Sequence, residues 1–307
     1  MRPLRIGLVG IGAIARSQHL PVIAARDDVE LVAVASRNAS VEGVPNHAGI
    51  GAMLAAHPDL DAVSLTAPPG PRFAMARAAI AADKHVMLEK PPGATCAEVD
   101  ELAALAEAAG VTLHATWHSR HAPAVEPLRE RLIERSILSV TCTWHESVRR
   151  WHPGQDWIWR PGGFGVLDPG INALSILTRV LPPFRLRDAT LDVPANAQTP
   201  MAVDARFDVG DGIPMTMSLD WQAEDEQIWE IAIETDVGRL VLSEGGAVLR
   251  EDDHVILDEP EREYQRVYDR FVRLVSEGRS DVDATPLQHV ADIMMLGERR
   301  NVEPFEW

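Results

Sequence analysis

Two stretches carry residue types suited to moving a proton from an alcohol. The first is His85-Val86-Met87-Leu88-Glu89-Lys90-Pro91-Pro92-Gly93. Its apolar run suits a strand buried on both faces. The prolines cannot continue a central strand, so Glu89 and Lys90 are expected at its C-terminal end, the edge where open parallel sheets bind ligands. A Lys-Pro bond has a reduced trans preference, so a cis turn at Lys90-Pro91 fits. The second is Arg160-Pro161-Gly162-Gly163-Phe164-Gly165-Val166-Leu167-Asp168-Pro169-Gly170-Ile171-Asn172. Asp168 and Asn172 are four apart and share a face if a helix begins there, and a helix N-terminus favours an ionised Asp168. Upstream, Trp144, Trp151, Trp157 and Trp159 crowd together in a chain only 5% aromatic. A carboxylate can accept a proton, and an ammonium can stabilise the charge that develops on oxygen. The plainer alternatives are a surface lysine before a turn, an N-capping aspartate and core tryptophans.

The elements that must position these groups follow from the pattern. Residues 4–9 read as a buried strand. Gly10-Ile11-Gly12-Ala13-Ile14-Ala15 then matches G-x-G-x-x-A, ahead of a helical run over 13–25 interrupted by Pro21. Gly10 permits the tight turn, Gly12 lets backbone approach a pyrophosphate, and Ala15 lets helix and strand pack closely. The N–H groups at Ala13 and Ile14 and the helix dipole supply the anion site. The second strand, 29–35, ends at Ser36-Arg37-Asn38. Glu30 is acidic but starts that strand, on the wrong edge for a ribose. The hydroxyl and guanidinium at its end suit a 2′-phosphate, so NADP is the expected cofactor, with NAD tolerated. Further strands at 62–66, around the apolar run 86–88 and at 111–117 alternate with helices at 71–82 and 96–109, the last capped by Thr95 and Gly110. This is an α/β pattern: an N-terminal Rossmann domain over residues 1–118, with a doubly wound parallel sheet. Thr66, Ala67, Pro68 and Glu89 leave their strands on the cofactor edge.

From residue 119 to 307 the period changes. A linking helix at 123–134 precedes alternating runs at 139–146, 187–193, 201–209, 213–221, 228–235 and 239–243, then closing helices at 262–277 and 286–300. That reads as a C-terminal α+β domain on a large, mostly antiparallel sheet. So broad a face needs a helix layer or a second subunit, so a homo-oligomer formed through this sheet is expected. At 307 residues two domains are natural. A formal charge of −17 argues against nucleic acid and anionic membranes as partners, and no apolar run reaches the roughly 18 residues of a membrane span. Met1 to Ala15 has the outline of a leader, but its glycines fall where a nucleotide loop needs them. Cys96 and Cys142 sit in no spaced motif, which fits a cytoplasmic protein with reduced thiols. His114, His118, His121 and His145 lack metal-ligand spacing, and no metal is expected.

The dinucleotide fingerprint, Glu89-Lys90-Pro91 and Gly162-Gly163-x-Gly165 leading to Asp168-x-Gly170 together resemble the glucose–fructose oxidoreductase/inositol dehydrogenase family over nearly the whole chain. More narrowly, Trp117-His118, Trp144-His145-Glu146, Trp151 and Gly163 to Asn172 resemble bacterial D-galactose/L-arabinose 1-dehydrogenases. The resemblance implies oxidation of a cyclic sugar at C1, with Lys90, Asp168 and Asn172 as catalytic residues and Asp168 or a deprotonated Lys90 as base. It implies that His118, Glu146, Trp151 and Trp229 line the sugar pocket and that Arg160 faces the cofactor phosphates. Many members carry His where Asn172 stands, so proton handling is expected to fall to Asp168 and Lys90, without histidine. Other polyols or sugar derivatives, and a non-catalytic cofactor sensor, are the alternative readings.

Overall fold

The computed structural model describes residues 2–224 and 226–307; Met1, the start of the expected first domain, and Asp225 lie outside them. The chain divides into two units, residues 1–118 with 264–284, and 119–263 with 285–307.

In the first unit, β1 (Leu4–Val9), β2 (Val29–Ala35), β3 (Asn46–His47), β4 (Ala62–Leu65), β5 (His85–Glu89) and β6 (Leu113–Thr116) form a parallel sheet in the order β3-β2-β1-β4-β5-β6. Helices α1 (Leu20–Ala24), α2 (Ile50–Ala56), α3 (Pro69–Ile80) and α4 (Cys96–Ala109) alternate with the strands. The expected caps of α4 are present: the Thr95 hydroxyl accepts from Glu98 N–H, and Gly110 is left-handed. The expected helix over 13–25 contains a π-turn, Ala15–His19, ahead of α1. Pro21 stands in the first turn of α1, where its missing N–H costs little. The wide π-turn leaves His19 fully buried.

In the second unit, α5 (Val125–Leu132) leads into β7 (Ile137–His145), followed by α6 (Val148–Trp151), α7 (Leu167–Val180), β8 (Phe184–Pro194), β9 (Ala202–Val209), β10 (Ile213–Asp220), β11 (Ile228–Thr235), β12 (Gly238–Ser243), β13 (Val248–Glu251) and β14 (His254–Asp258). After α8 (Glu263–Glu277) come α9 (Thr285–Leu296) and β15 (Glu298–Val302). The sheet has nine strands in the order β14-β13-β12-β11-β7-β10-β9-β8-β15. It is antiparallel except for β10 beside β7 and β15 beside β8. Val140, Cys142, Trp144, Met215, Met217 and Leu219 are buried on one face, alternating with Thr and Ser on the other, as a period of two requires. Burial pushes the Cys142 thiol up to about 12, so it packs as an inert apolar group.

Two expectations are corrected. The second domain does not run unbroken to residue 307. From Tyr264 on, α8 belongs to the first unit, where Tyr264, Val267, Tyr268 and Phe271 pack on Ile6, Val22, Ile23 and Met87. Their spacing of three and four puts all of them on one helix face, and that face covers the parallel sheet. The acidic run near residue 252 is exposed. It turns between β13 and β14, with Asp252 at φ 50° accepting from Arg239 N–H. The closing helix stops at Leu296, and the charged residues after it form the edge strand β15, where Arg300 grips Asp192 with two hydrogen bonds of 2.7 and 2.8 Å. Charged side chains on an exposed edge discourage further pairing. Among the described residues no helix is long and apolar enough to cross a membrane.

Candidate active site

In the first unit the fingerprint forms as its residues dictate. Gly10 has φ 94°, and a Cβ there would lie 2.7 Å from the amide nitrogen of Ala67. Only glycine lets the turn come this close. At Gly12 a Cβ would meet nothing within 4 Å, so the exposed backbone of Gly12 and Ala13 has open space in front of it. Ile14 is half-buried. Thr66 ties the ends of β1 and β4 together by donating to the carbonyls of Val9 (3.0 Å) and Gly10. Ala67 is buried and Pro68 exposed after it. Ser36 and the exposed Arg37 follow β2, with Ser36 N–H donating to His47 O at 2.9 Å. Glu30 instead pairs with Arg5, at the other end of β2. The end of β2, Ser36-Arg37-Asn38, carries no acid.

Lys90 follows β5, and Lys90-Pro91 is cis. The Lys90 N–H donates to Glu89 Oε2 at 2.8 Å. The other carboxylate oxygen of Glu89 takes the Tyr264 hydroxyl (2.7 Å) and lies 3.1 Å from His19 Nε2. An ionised carboxylate only accepts, so His19 Nε2 carries the proton. His19 Nδ1 is 2.8 Å from the Tyr268 hydroxyl, which burial keeps protonated. The His118 ring stacks on Tyr264, centroids 5.4 Å apart. Arg72 donates to the carbonyls of Ala67, Glu89 and Pro91, joining the two loops beside the cofactor edge. Burial alone would raise the pKa of Glu89, but hydrogen bonds from His19 and Tyr264 and the charges of His19 and His118 outweigh it and hold the group at about 2. The carboxylate of Glu89 is spent on holding the Lys90 main chain. It does not point outward as the expected cofactor contact would.

In the second unit the glycine-rich loop delivers Asp168 to the first turn of α7. A Cβ on Gly165, at φ 55°, would lie 2.2 Å from Pro200 O. That close approach lets Val166 N–H reach Pro200 O (2.8 Å) and Asp168 N–H reach Gly165 O (2.9 Å). Asn172 lies one turn on, half-buried. Asp168 and Glu146 are only 7% and 5% exposed. Trp229 Nε1–H donates to Glu146 Oε2 at 3.1 Å. The Trp229 ring leans against Trp144 and Trp151, at 6.2 and 5.6 Å between centroids, and Trp151 N–H donates to Gln227. Trp151 is exposed, offering a ring face. Arg160 is exposed just after the 3-10 turn Asp156–Trp159.

One residue here was missed from sequence. His152 Nε2 lies 3.9 Å from Glu146 Oε1 and 3.9 Å from Asp168 Oδ2, with its ring 5.3 Å from that of Trp221. These distances are too long for hydrogen bonds but place one imidazole within electrostatic reach of two buried carboxylates. Asn172 stands on α7, and His152 brings an imidazole beside Asp168 from the neighbouring loop. Among the described residues no group of three or more His, Cys, Asp or Glu is arranged to hold a metal ion.

Residues 4–116 match the model of the GFO/IDH/MocA oxidoreductase family, with an NAD-binding Rossmann fold. The chain is 40% identical over 306 residues to galactose 1-dehydrogenase of Pseudomonas fluorescens, covering 99% of each protein. The chain belongs to this oxidoreductase family. A D-galactose-1-dehydrogenase from Rhizobium etli has a crystal structure with a TM-score of 0.96 at 51% identity, covering 100% of this chain and 99% of that one. A 3-ketoreductase from Actinomadura kijaniata, in complex with NADP and TDP-benzene, shares the fold at TM-score 0.84 and 19% identity, covering 98% of this chain and 100% of that one.

In this family member the Glu89 network has a measurable signature. The carboxylate sits at about 2 in the fold against an ordinary 4.5, so it stabilises the fold fully above about pH 4.5, and this contribution fades as pH falls toward 2. Buried His114, pushed down to about 4 from 6.5 by desolvation, costs stability as pH falls through that range. Urea unfolding across pH is expected to show Glu89→Gln flattening the loss of stability below about pH 4.5 while leaving the loss between pH 6.5 and 4.5 intact. Identical curves for variant and wild type below pH 4.5 would contradict the network.

Proposed function

We propose that the chain is an NAD(P)-dependent aldose 1-dehydrogenase that oxidises the C1 hydroxyl of a pyranose such as D-galactose to the lactone. L-Arabinose and D-fucose share the ring stereochemistry and are accepted by the same pocket. The observation that carries this reading is the pairing of residues within each unit. Lys90 is clamped through its amide by a buried carboxylate, and Asp168 is buried with Glu146 and His152 beside tryptophan faces. The names of the full-length relatives support it.

An oxidised nicotinamide cofactor, when bound, would supply the acceptor for the hydride of C1. The chain's own groups do the rest. Asp168 takes the proton of the C1 hydroxyl, and the Lys90 ammonium stabilises negative charge on that oxygen. His152, when protonated, offsets the negative charge of Asp168 and Glu146. Glu146, oriented by Trp229 N–H, accepts from ring hydroxyls, while the Trp151 and Trp229 faces pack on the C–H surface of the sugar. Asn172 and His118 fix the remaining hydroxyls. Gly10, Gly12, Ala13, Ile14, Thr66, Ala67 and Pro68 hold the dinucleotide, with Ser36 and Arg37 on its 2′-phosphate and Arg160 toward its phosphates.

Purified protein is expected to reduce NADP with D-galactose and to release the 1,5-lactone. Thermal stabilisation by NADP with no turnover on any aldose or inositol would instead identify a cofactor sensor. Lys90→Ala and Asp168→Asn should each lower turnover by at least ~2 powers of ten, and a near-normal rate would remove that residue from the mechanism. Arg37→Ala should raise the KM for NADP far more than that for NAD. Equal effects would refute the phosphate contact and the NADP preference.

The open face of the second unit's sheet carries small polar side chains, among them the exposed Thr141 and Thr216 and the half-buried Thr143, Thr190 and Ser218. We propose that a second copy covers this flat face, and that the protein works in the cytoplasm. Sedimentation velocity is expected to give at least twice the 33.7 kDa chain mass; a monomer at micromolar concentration would contradict the interface.

A further inference from the structure

The segment after β15 runs across the loop that carries Trp151 and His152. Asn196 clamps Phe305 from both sides: its Nδ2–H donates to Phe305 O at 2.8 Å, and Phe305 N–H donates to Asn196 Oδ1 at 3.0 Å. Arg149 lies 5.0 Å over the Phe305 ring and donates to Glu306 O. Trp307 stacks on Trp159, centroids 4.6 Å apart and planes at 23°, while its indole N–H donates to Asp156 Oδ1 at 3.2 Å. Arg149, Asp156 and Trp159 all lie in the loop 147–160, on either side of His152. Within that loop the only regular structure is the four-residue α6 and the 3-10 turn Asp156–Trp159.

The contacts continue inward. Trp159, 2% exposed, packs edge-on against Trp221 at 5.0 Å, and Trp221 in turn packs against His152 at 5.3 Å. A row of rings thus runs from Trp307 at the surface to the imidazole beside Asp168 and Glu146. The loop's own backbone hydrogen bonds are those of short local turns, such as His152 N–H to Val148 O and Ile158 N–H to Gln155 O. What packs on it therefore helps to set how those turns sit together, and ordering each residue costs about 1–2 kcal/mol of entropy. Trp307 is 37% exposed, so its removal opens no sealed cavity in the core.

We infer that residues 303–307 are a strap that sets the conformation of the loop 147–160, and that Trp307 is a positioning residue for His152 and Trp151 in sugar recognition. The strap claim stands on these contacts alone; its effect on the sugar rests on the function proposed above.

The test uses the full chain with Trp307→Ala and Trp307→Phe and has two arms. Without any ligand, limited trypsin digestion after Arg149 and Arg150 is expected to be ~5-fold or more faster in Trp307→Ala and near wild type in Trp307→Phe. In initial-rate assays Trp307→Ala should raise the KM for D-galactose ~5- to 20-fold, with kcat within ~3-fold, the KM for NADP unchanged, and recovery in Trp307→Phe. Unchanged cleavage would overturn the strap. Faster cleavage with an unchanged galactose KM would overturn the positioning role. If the wild type oxidises no aldose, the functional reading fails while the digestion still decides the strap.

Discussion

The buried carboxylate of Glu89 is the interaction on which the first unit's chemistry depends. It takes a hydrogen bond from the main chain of Lys90, one from Tyr264 on α8, and lies within hydrogen-bond distance of His19 behind the fingerprint. Three segments distant in sequence are thereby locked to one charge. Taking that charge out of water would be costly if it were left unpaired, and its partners hold it ionised. Lysine is among the most mobile of side chains. Pinning its backbone from inside the protein removes much of the freedom that would blur its position at the strand end.

The second unit solves a similar problem differently. Glu146 leaves the end of β7, Asp168 opens α7, and both are buried with an imidazole between them. Tryptophan rings rather than hydrogen bonds form most of the wall. Trp229 serves twice, orienting Glu146 through its N–H and packing its ring at a tilt against Trp144 and Trp151. A polar centre ringed by aromatic planes suits a ligand with hydroxyls at its rim and C–H bonds on its faces.

The alternation of β and α through residue 118, the fingerprint, the strand end at Lys90 and the caps of α4 could all be read from sequence, because each is encoded locally by period, glycine or proline. Asp168 could be read too, since a glycine-rich loop announces the helix it opens. What escaped was long-range. Tyr264, Val267, Tyr268 and Phe271 advertise an amphipathic helix, but nothing local says that this helix returns to the first unit. His19 is drawn inward by a π-turn whose only trace is Pro21. His152 sits inside the tryptophan cluster that marked the region, yet only the folded loop turns its ring toward Asp168. The edge strand β15, Glu298–Val302, is short and charged, the composition that keeps an edge from pairing and that also disguises it as a helix end.

We propose that Lys90 and Asp168 serve one hydroxyl. A crystal structure of the protein with D-galactose and oxidised cofactor tests it most directly. Lys90 Nζ and an Asp168 carboxylate oxygen are both expected within hydrogen-bonding distance of the C1 hydroxyl, with C1 facing the nicotinamide. A sugar whose C1 hydroxyl is reached by only one of the two, or that presents another carbon to the cofactor, would contradict it.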